Sequence, residues 1–175
     1  MRGRSLTGAE HGLSFSFRWM PEKGDNGKTF ASASYAFLPD FEAGVDYRPL
    51  VDKVYPTANW RIVPEGPRTP ALILGTSNDD FGDENSQSVY GSISKHGGHL
   101  YGVSVSPYAG ATWIVDLEEV RPLGGISLRY EAISTLFMYS GKDPHLTLSV
   151  SYAGVSLNFI LFDLELPGVG CGLRF

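Results

Sequence analysis

Apolar and polar residues alternate with period two along most of this chain. Leu13, Phe15, Phe17 and Trp19 alternate with Ser14, Ser16 and Arg18, and Ala31, Ala33, Tyr35 and Phe37 with Ser32, Ser34 and Ala36. Phe41, Ala43, Val45 and Tyr47 stand against Glu42, Gly44, Asp46 and Arg48, and Ala58, Trp60 and Ile62 against Asn59, Arg61 and Val63. The pattern returns at Tyr101, Val103 and Val105, at Trp113, Val115 and Leu117, and at Ile126, Leu128 and Tyr130. It closes with Leu146, Leu148, Val150 and Tyr152, then Val169, Cys171, Leu173 and Phe175. Successive side chains of a strand point to opposite faces, so these runs predict strands with one apolar and one polar face. No stretch carries a 3.6-residue stripe.

Turn residues punctuate the runs. Gly24-Asp25-Asn26-Gly27, Pro39-Asp40, Glu65-Gly66-Pro67, Gly97-Gly98, Ala109-Gly110, Gly124-Gly125, Gly141-Lys142-Asp143-Pro144 and Ala153-Gly154 all suit tight reversals. The result is about 12 or 13 short strands joined as an antiparallel meander. The connections at 20–28, 49–56 and 77–87 read as longer than those at 38–40 and 96–98. A barrel with one long-loop rim and one short-turn rim has this asymmetry. Stretches 135–140 and 155–166 are apolar on both faces and are the ambiguous pieces. A bacterial barrel needs an even strand number. An odd count means that one stretch is misread or that the chain is part of a larger assembly. Residues 1–10 read as an N-terminal extension and 11–175 as one barrel domain.

Composition narrows the class. The chain has 175 residues, 19 Asp+Glu and 14 Lys+Arg, a net charge of −5 that argues against a nucleic-acid partner. Cys171 is the only cysteine, which excludes an intrachain disulfide and a Cys-based zinc site. The most apolar run, 155–166, is broken by Asn158 and Asp163, so no spanning helix is expected. Met1-Arg2-Gly3-Arg4 leads into Gly8-Ala9-Glu10-His11 without an apolar core, so no signal peptide is visible. The expectation is a cytoplasmic chain, or a form whose signal was removed.

Periodicity alone does not say which face is inside. A soluble sandwich or lipocalin-like barrel buries its apolar face, whereas a membrane barrel turns it outward. Three features favour the membrane case. Glu42, Asp46, Arg48, Arg61, Asp116, Glu118, Arg129 and Glu131 put mixed charges on the polar faces, as in a lumen filled by ion pairs. Trp19, Phe37, Phe41, Tyr47, Tyr130, Tyr152 and Phe175 sit at the ends of alternating runs, as interfacial girdles require. Lysine is scarce on the strands.

Two stretches resemble known proteins. Val169, Cys171, Leu173 and Phe175 resemble the last strand of Gram-negative outer-membrane barrels, which ends in Phe and is read by the barrel-assembly machinery. Asn59-Trp60-Arg61-Ile62-Val63-Pro64-Glu65-Gly66, Thr69-Pro70-Ala71-Leu72-Ile73-Leu74-Gly75 and Val89-Tyr90-Gly91-Ser92-Ile93-Ser94-Lys95 resemble the YjbH-type family of outer-membrane barrels. Leu117-Glu118 and Gly125-Ile126-Ser127-Leu128-Arg129-Tyr130 resemble that family's later strands. The likeness covers about residues 55–135. It implies an outer-membrane barrel linked to exopolysaccharide production and export, with lipid, lipopolysaccharide, the assembly machinery and polysaccharide as partners. The chain is short for that family.

Enzyme and metal motifs are weaker. The residues two after the four His are Leu13, Gly98, Tyr101 and Thr147, so the His-x-Ser motif of small outer-membrane deacylases is absent. Ser94 and His96 lie close in sequence, but no orienting acid is evident. The acidic run Asn78-Asp79-Asp80-Phe81-Gly82-Asp83-Glu84-Asn85 offers oxygen ligands without EF-hand spacing, and reads as a solvated loop. His96 and His99 flank Gly97-Gly98 without a third metal ligand beside them and read as an ordinary turn.

The expectation is therefore an all-β, antiparallel, up-and-down transmembrane barrel of about 12 strands. It acts as a pore or envelope scaffold in the outer membrane, without catalysis, metal or cofactor. The eight charged residues named above would line or plug its lumen. The alternative is a soluble or secreted sandwich or barrel that binds a carbohydrate or an apolar ligand.

Overall fold

The computed structural model describes residues 12–20, 28–50, 52–78 and 86–175. These residues contain thirteen strands and no helix. They are β1 (Gly12–Met20), β2 (Lys28–Leu38), β3 (Phe41–Arg48), β4 (Lys53–Val63), β5 (Ala71–Ser77), β6 (Ser88–Ser94), β7 (Gly98–Leu100), β8 (Val103–Ile114), β9 (Glu119–Tyr130), β10 (Ile133–Tyr139), β11 (Pro144–Tyr152), β12 (Val155–Phe162) and β13 (Leu166–Arg174).

Twelve strands close into an antiparallel barrel and one stands apart. Neighbours in sequence pair from β1 to β6 and from β8 to β13, while β6–β8 and β13–β1 complete the ring. Following partner residues around the ring from Ser14 returns to β1 about 14 residues further along. That stagger tilts the strands by about 40° and sets a backbone radius of about 12 Å.

The extra strand is β7. Lys95 N donates to Pro107 O at 3.2 Å and Gly97 N to Val105 O at 2.8 Å. β7 then pairs Gly98 with Val105 and Leu100 with Val103. It continues the line of β6 along β8 beyond the ring, which accounts for the odd count. The stretches that were ambiguous in sequence, 135–140 and 155–166, supply ring strands β10 and β12 and the start of β13.

Three turn readings are corrected. Gly97-Gly98 is not the reversal. The chain turns at Tyr101-Gly102, with φ of 50° and 83°, so Tyr101 leaves the strand assigned to it. Ala109-Gly110 and Gly124-Gly125 lie inside β8 and β9. Gly125 serves close approach rather than turning. A Cβ there would lie 2.1 Å from the Phe137 carbonyl and 2.9 Å from the Tyr108 ring, which covers it from the facing strand. Tyr90 covers Gly75 in the same way, the aromatic-over-glycine packing that supports weak strand positions. The connection read as 49–56 is shorter, because β4 already begins at Lys53.

The two rims differ. One carries the turns 39–40, 131–132 and 153–154, the connection 64–70, the β7 hairpin, the start of β1 and the end of β13. The other carries the remaining connections, including those whose central residues, 21–27 and 79–85, lie outside the described ones.

Candidate functional site

The register fixes the two walls, because directly paired residues point to the same side. Ser14, Ser34, Gly44 and Thr57 form one continuous inward row across β1–β4. Ser88, Ile114 and Glu119 continue the inward face across the seam into β9. Every ring strand obeys the same parity, and burial agrees with it. Large apolar side chains stand on the outside and remain exposed, such as Phe17 at 46%, Phe159 at 46% and Leu157 at 62%. The buried set mixes polar and apolar residues: Asp46, Arg48, Thr112, Arg121, Ser140 and His145 are buried alongside Phe30, Tyr55, Ile114, Leu123 and Ile160.

Among the described residues, the outward face of the ring strands carries no charged side chain. Its aliphatic polar groups are Thr29, Thr76 and Thr135. At the loop rim this face ends in Trp19, Tyr47, Trp113 and Tyr139, and at the other rim in Phe37, Trp60, Tyr130 and Tyr152. Val169, Cys171 and Leu173 of β13 are outward and exposed, and Phe175 packs edge-on against Phe15 at 6.4 Å.

The inner wall changes along the barrel axis. Toward the rim where β1 starts, it carries Ser14, Ser16, Ser34, Ser94, Ser106, Ser127, Ser149 and several Gly, with Arg61, Tyr108 and Leu136 among them, mostly half-buried. Toward the loop rim it is bulky and buried. Phe30 is 2% exposed and Arg48 4%. The Arg48 guanidinium lies 4.7 Å from the centre of the Phe30 ring and 5.2 Å from that of Tyr55, and Arg18 lies 4.9 Å from Phe30. Cation–π contacts of this kind gain strength where water is excluded. Arg48 also donates to the main-chain carbonyl of Asn78, a fully buried residue at the end of β5. Across the barrel, Ile114, Leu123, Ile160 and His145 are buried at the same rim.

The eight charged residues expected in the lumen separate into two groups. Glu42, Asp46, Arg48, Arg61 and Arg129 stand on the inward face. Glu42 accepts a hydrogen bond from Ser34 Oγ. Arg61 Nε donates to Asp40 Oδ1 at 2.6 Å, tying β4 to the β2–β3 turn. Arg129 pairs across strands with Ser104 and Ser134. Asp116, Glu118 and Glu131 are exposed turn residues instead. The chain leaves the strand at Val115, whose N donates to Gln87 O at 2.9 Å, and Glu118 and Glu131 adopt φ of 51° and 49°.

Sequence reasoning missed Phe30, Tyr55 and Arg121 on the inner wall. Phe30 and Tyr55 are aromatic and so were assigned to no polar face. Arg121 was hidden by the false turn at Gly124-Gly125. Carrying the parity of Ile126 back through that pair places Leu123 and Arg121 inward. Arg121 bonds Glu119 at 2.6 Å.

The histidine pair sits on the β6–β8 connection. Its rings are 4.9 Å apart, and His96 Nδ1 lies 3.2 Å from Ser104 Oγ, so the hydroxyl that meets His96 is Ser104. No group of three or more His, Cys, Asp or Glu that could hold a metal occurs among the described residues. Within the acidic run, Asp79–Asn85 lie outside the described residues, as does the 1–10 extension. No family model and no curated protein matches the chain.

Proposed function

We propose that this protein is an integral outer-membrane β-barrel, an envelope scaffold whose lumen is closed at the loop rim in its resting state. One observation carries the reading: the uncharged apolar face of the ring strands points outward and the charges point inward. Soluble monomers rarely expose apolar patches beyond about 300–600 Å². A belt around a cylinder of about 12 Å backbone radius and barrel height has an area on the order of 2,000 Å². Lipid is the solvent that such a surface suits.

The aromatic residues at both ends of the belt support the same reading, since Trp and Tyr favour the two membrane interfaces. The rim with the short turns would face the periplasm and the loop rim the exterior. Lipid, lipopolysaccharide and the barrel-assembly machinery follow as partners. The likeness of residues 55–135 to YjbH-type barrels supports exopolysaccharide export as the process served.

The test is detergent dependence. The protein should fold only in detergent or lipid, and should migrate differently on gels before and after boiling. A folded, monomeric protein in plain buffer would refute the proposal and leave the soluble ligand-binding barrel.

A further inference from the structure

We propose that the lumen is a latched path for small anions, shut by the Arg48–Phe30–Tyr55 stack; this rests on the membrane-barrel reading above. Three observations lead there.

The first is charge segregation. The chain as a whole is acidic, with a net charge of −5. Its inward wall is the reverse. Arg18, Arg48, Lys53, Arg61, Arg121, Arg129 and Arg174 face inward against Glu42, Asp46 and Glu119. The surplus belongs to the whole wall, so it persists although individual arginines are bonded. Rings of Arg or Lys in a narrow polar path favour anions over cations.

The second is the change of bore. A backbone radius of about 12 Å leaves an open path where Ser and Gly line the wall, because those side chains reach inward only a short way. Most wall residues of this half keep part of their surface exposed. At the loop rim, Phe30, Arg48 and Tyr55 on the adjacent strands β2–β4 and Ile114, Leu123 and Ile160 elsewhere on the wall are all buried. The large buried side chains gather at this end, whereas the buried residues toward the other rim, Ala36, Ala71 and Ser92, are small.

The third is the latch. Arg48 bonds the Asn78 carbonyl at the end of β5 while stacking on Phe30 of β2 and Tyr55 of β4. One side chain thus joins the neighbouring strands β2, β3 and β4 and the end of β5 along one side of the mouth. Phe30→Ser with Arg48→Ser removes the ring, the guanidinium and the tie to Asn78 together.

The experiment reconstitutes the full chain in planar bilayers with potassium chloride. Insertion is checked separately in vesicles by the boiling-dependent gel shift. Wild-type protein is expected to be silent. Phe30→Ser/Arg48→Ser should conduct in steps, with chloride favoured over potassium by about threefold or more. Arg121→Glu/Arg129→Glu in that background should lower this ratio toward or below one. Arg48→Ser alone, the milder variant, should open intermittently. An inserted, gel-shifted double variant that stays silent, or one that prefers potassium, would overturn the latch or the selectivity. Failure of wild-type protein to insert would instead overturn the membrane reading.

Discussion

Replacing one outward and one inward residue of β1 by arginine separates the two possible orientations of the barrel wall. Phe17 is outward and half-exposed, at mid-strand between Ala31 and Cys171. Its neighbour Ser16 is inward, between Ser32 and Gly172, and half-buried. In a lipid-facing belt, arginine at mid-depth costs about 2–4 kcal/mol. Loss of the phenyl ring from an apolar environment adds about 1.5–3 kcal/mol. Phe17→Arg should therefore destabilise the protein by about 3.5–7 kcal/mol. Ser16→Arg enters a wall that already holds Arg18 and should cost about 1 kcal/mol or less, because serine lines the watery half of the lumen. The assay is reversible folding into short-chain lipid vesicles under a urea gradient, followed by tryptophan fluorescence and the gel shift. The reasoning fails if Ser16→Arg costs as much as Phe17→Arg, or if Phe17→Arg is neutral. Either result would place lipid, or a dry core, on the wrong side of the strand.

Further outcomes follow from local geometry. Gly75→Ala should lower the urea midpoint by about 1–3 kcal/mol in equivalent stability, because its Cβ would sit 2.4 Å from the Tyr90 ring. Asp40→Asn should cost about 0.5–1.5 kcal/mol and make stability less sensitive to salt, since Asp40 holds the partly buried Arg61. Ala153→Gly should stabilise the β11–β12 hairpin by up to about 1 kcal/mol, read as a shift in the same titration. Ala153 has φ of 48°, in the left-handed region that glycine adopts without penalty.

The period-two pattern made the strands legible, and a run such as Leu13 to Trp19 leaves little room for another assignment. Glycine pairs were harder. At Ala153-Gly154 the pair makes a two-residue turn, whereas Gly124-Gly125 stays extended because Tyr108 lies on it. Both look alike in sequence, since the covering residue comes from another strand. The same limit applied to the lumen. Arg48 and Asp46 were visible as polar members of an alternating run. Phe30 and Tyr55 were not, because an aromatic side chain is apolar by composition and turns inward here to meet an arginine. The bend at Val115 moved Asp116 and Glu118 off the wall, and no local signal in the run from Trp113 to Leu117 marks it.

The central claim is that the outward face of the barrel meets lipid. Single spin labels along β12, from Val155 to Phe162 in a Cys171→Ser background, test it most directly when the protein is reconstituted in vesicles. The account predicts alternation: labels at 155, 157, 159 and 161 relaxed by oxygen dissolved in the bilayer, and labels at 156 and 158 by a water-soluble nickel reagent. Nickel accessibility at 157 and 159 would contradict it.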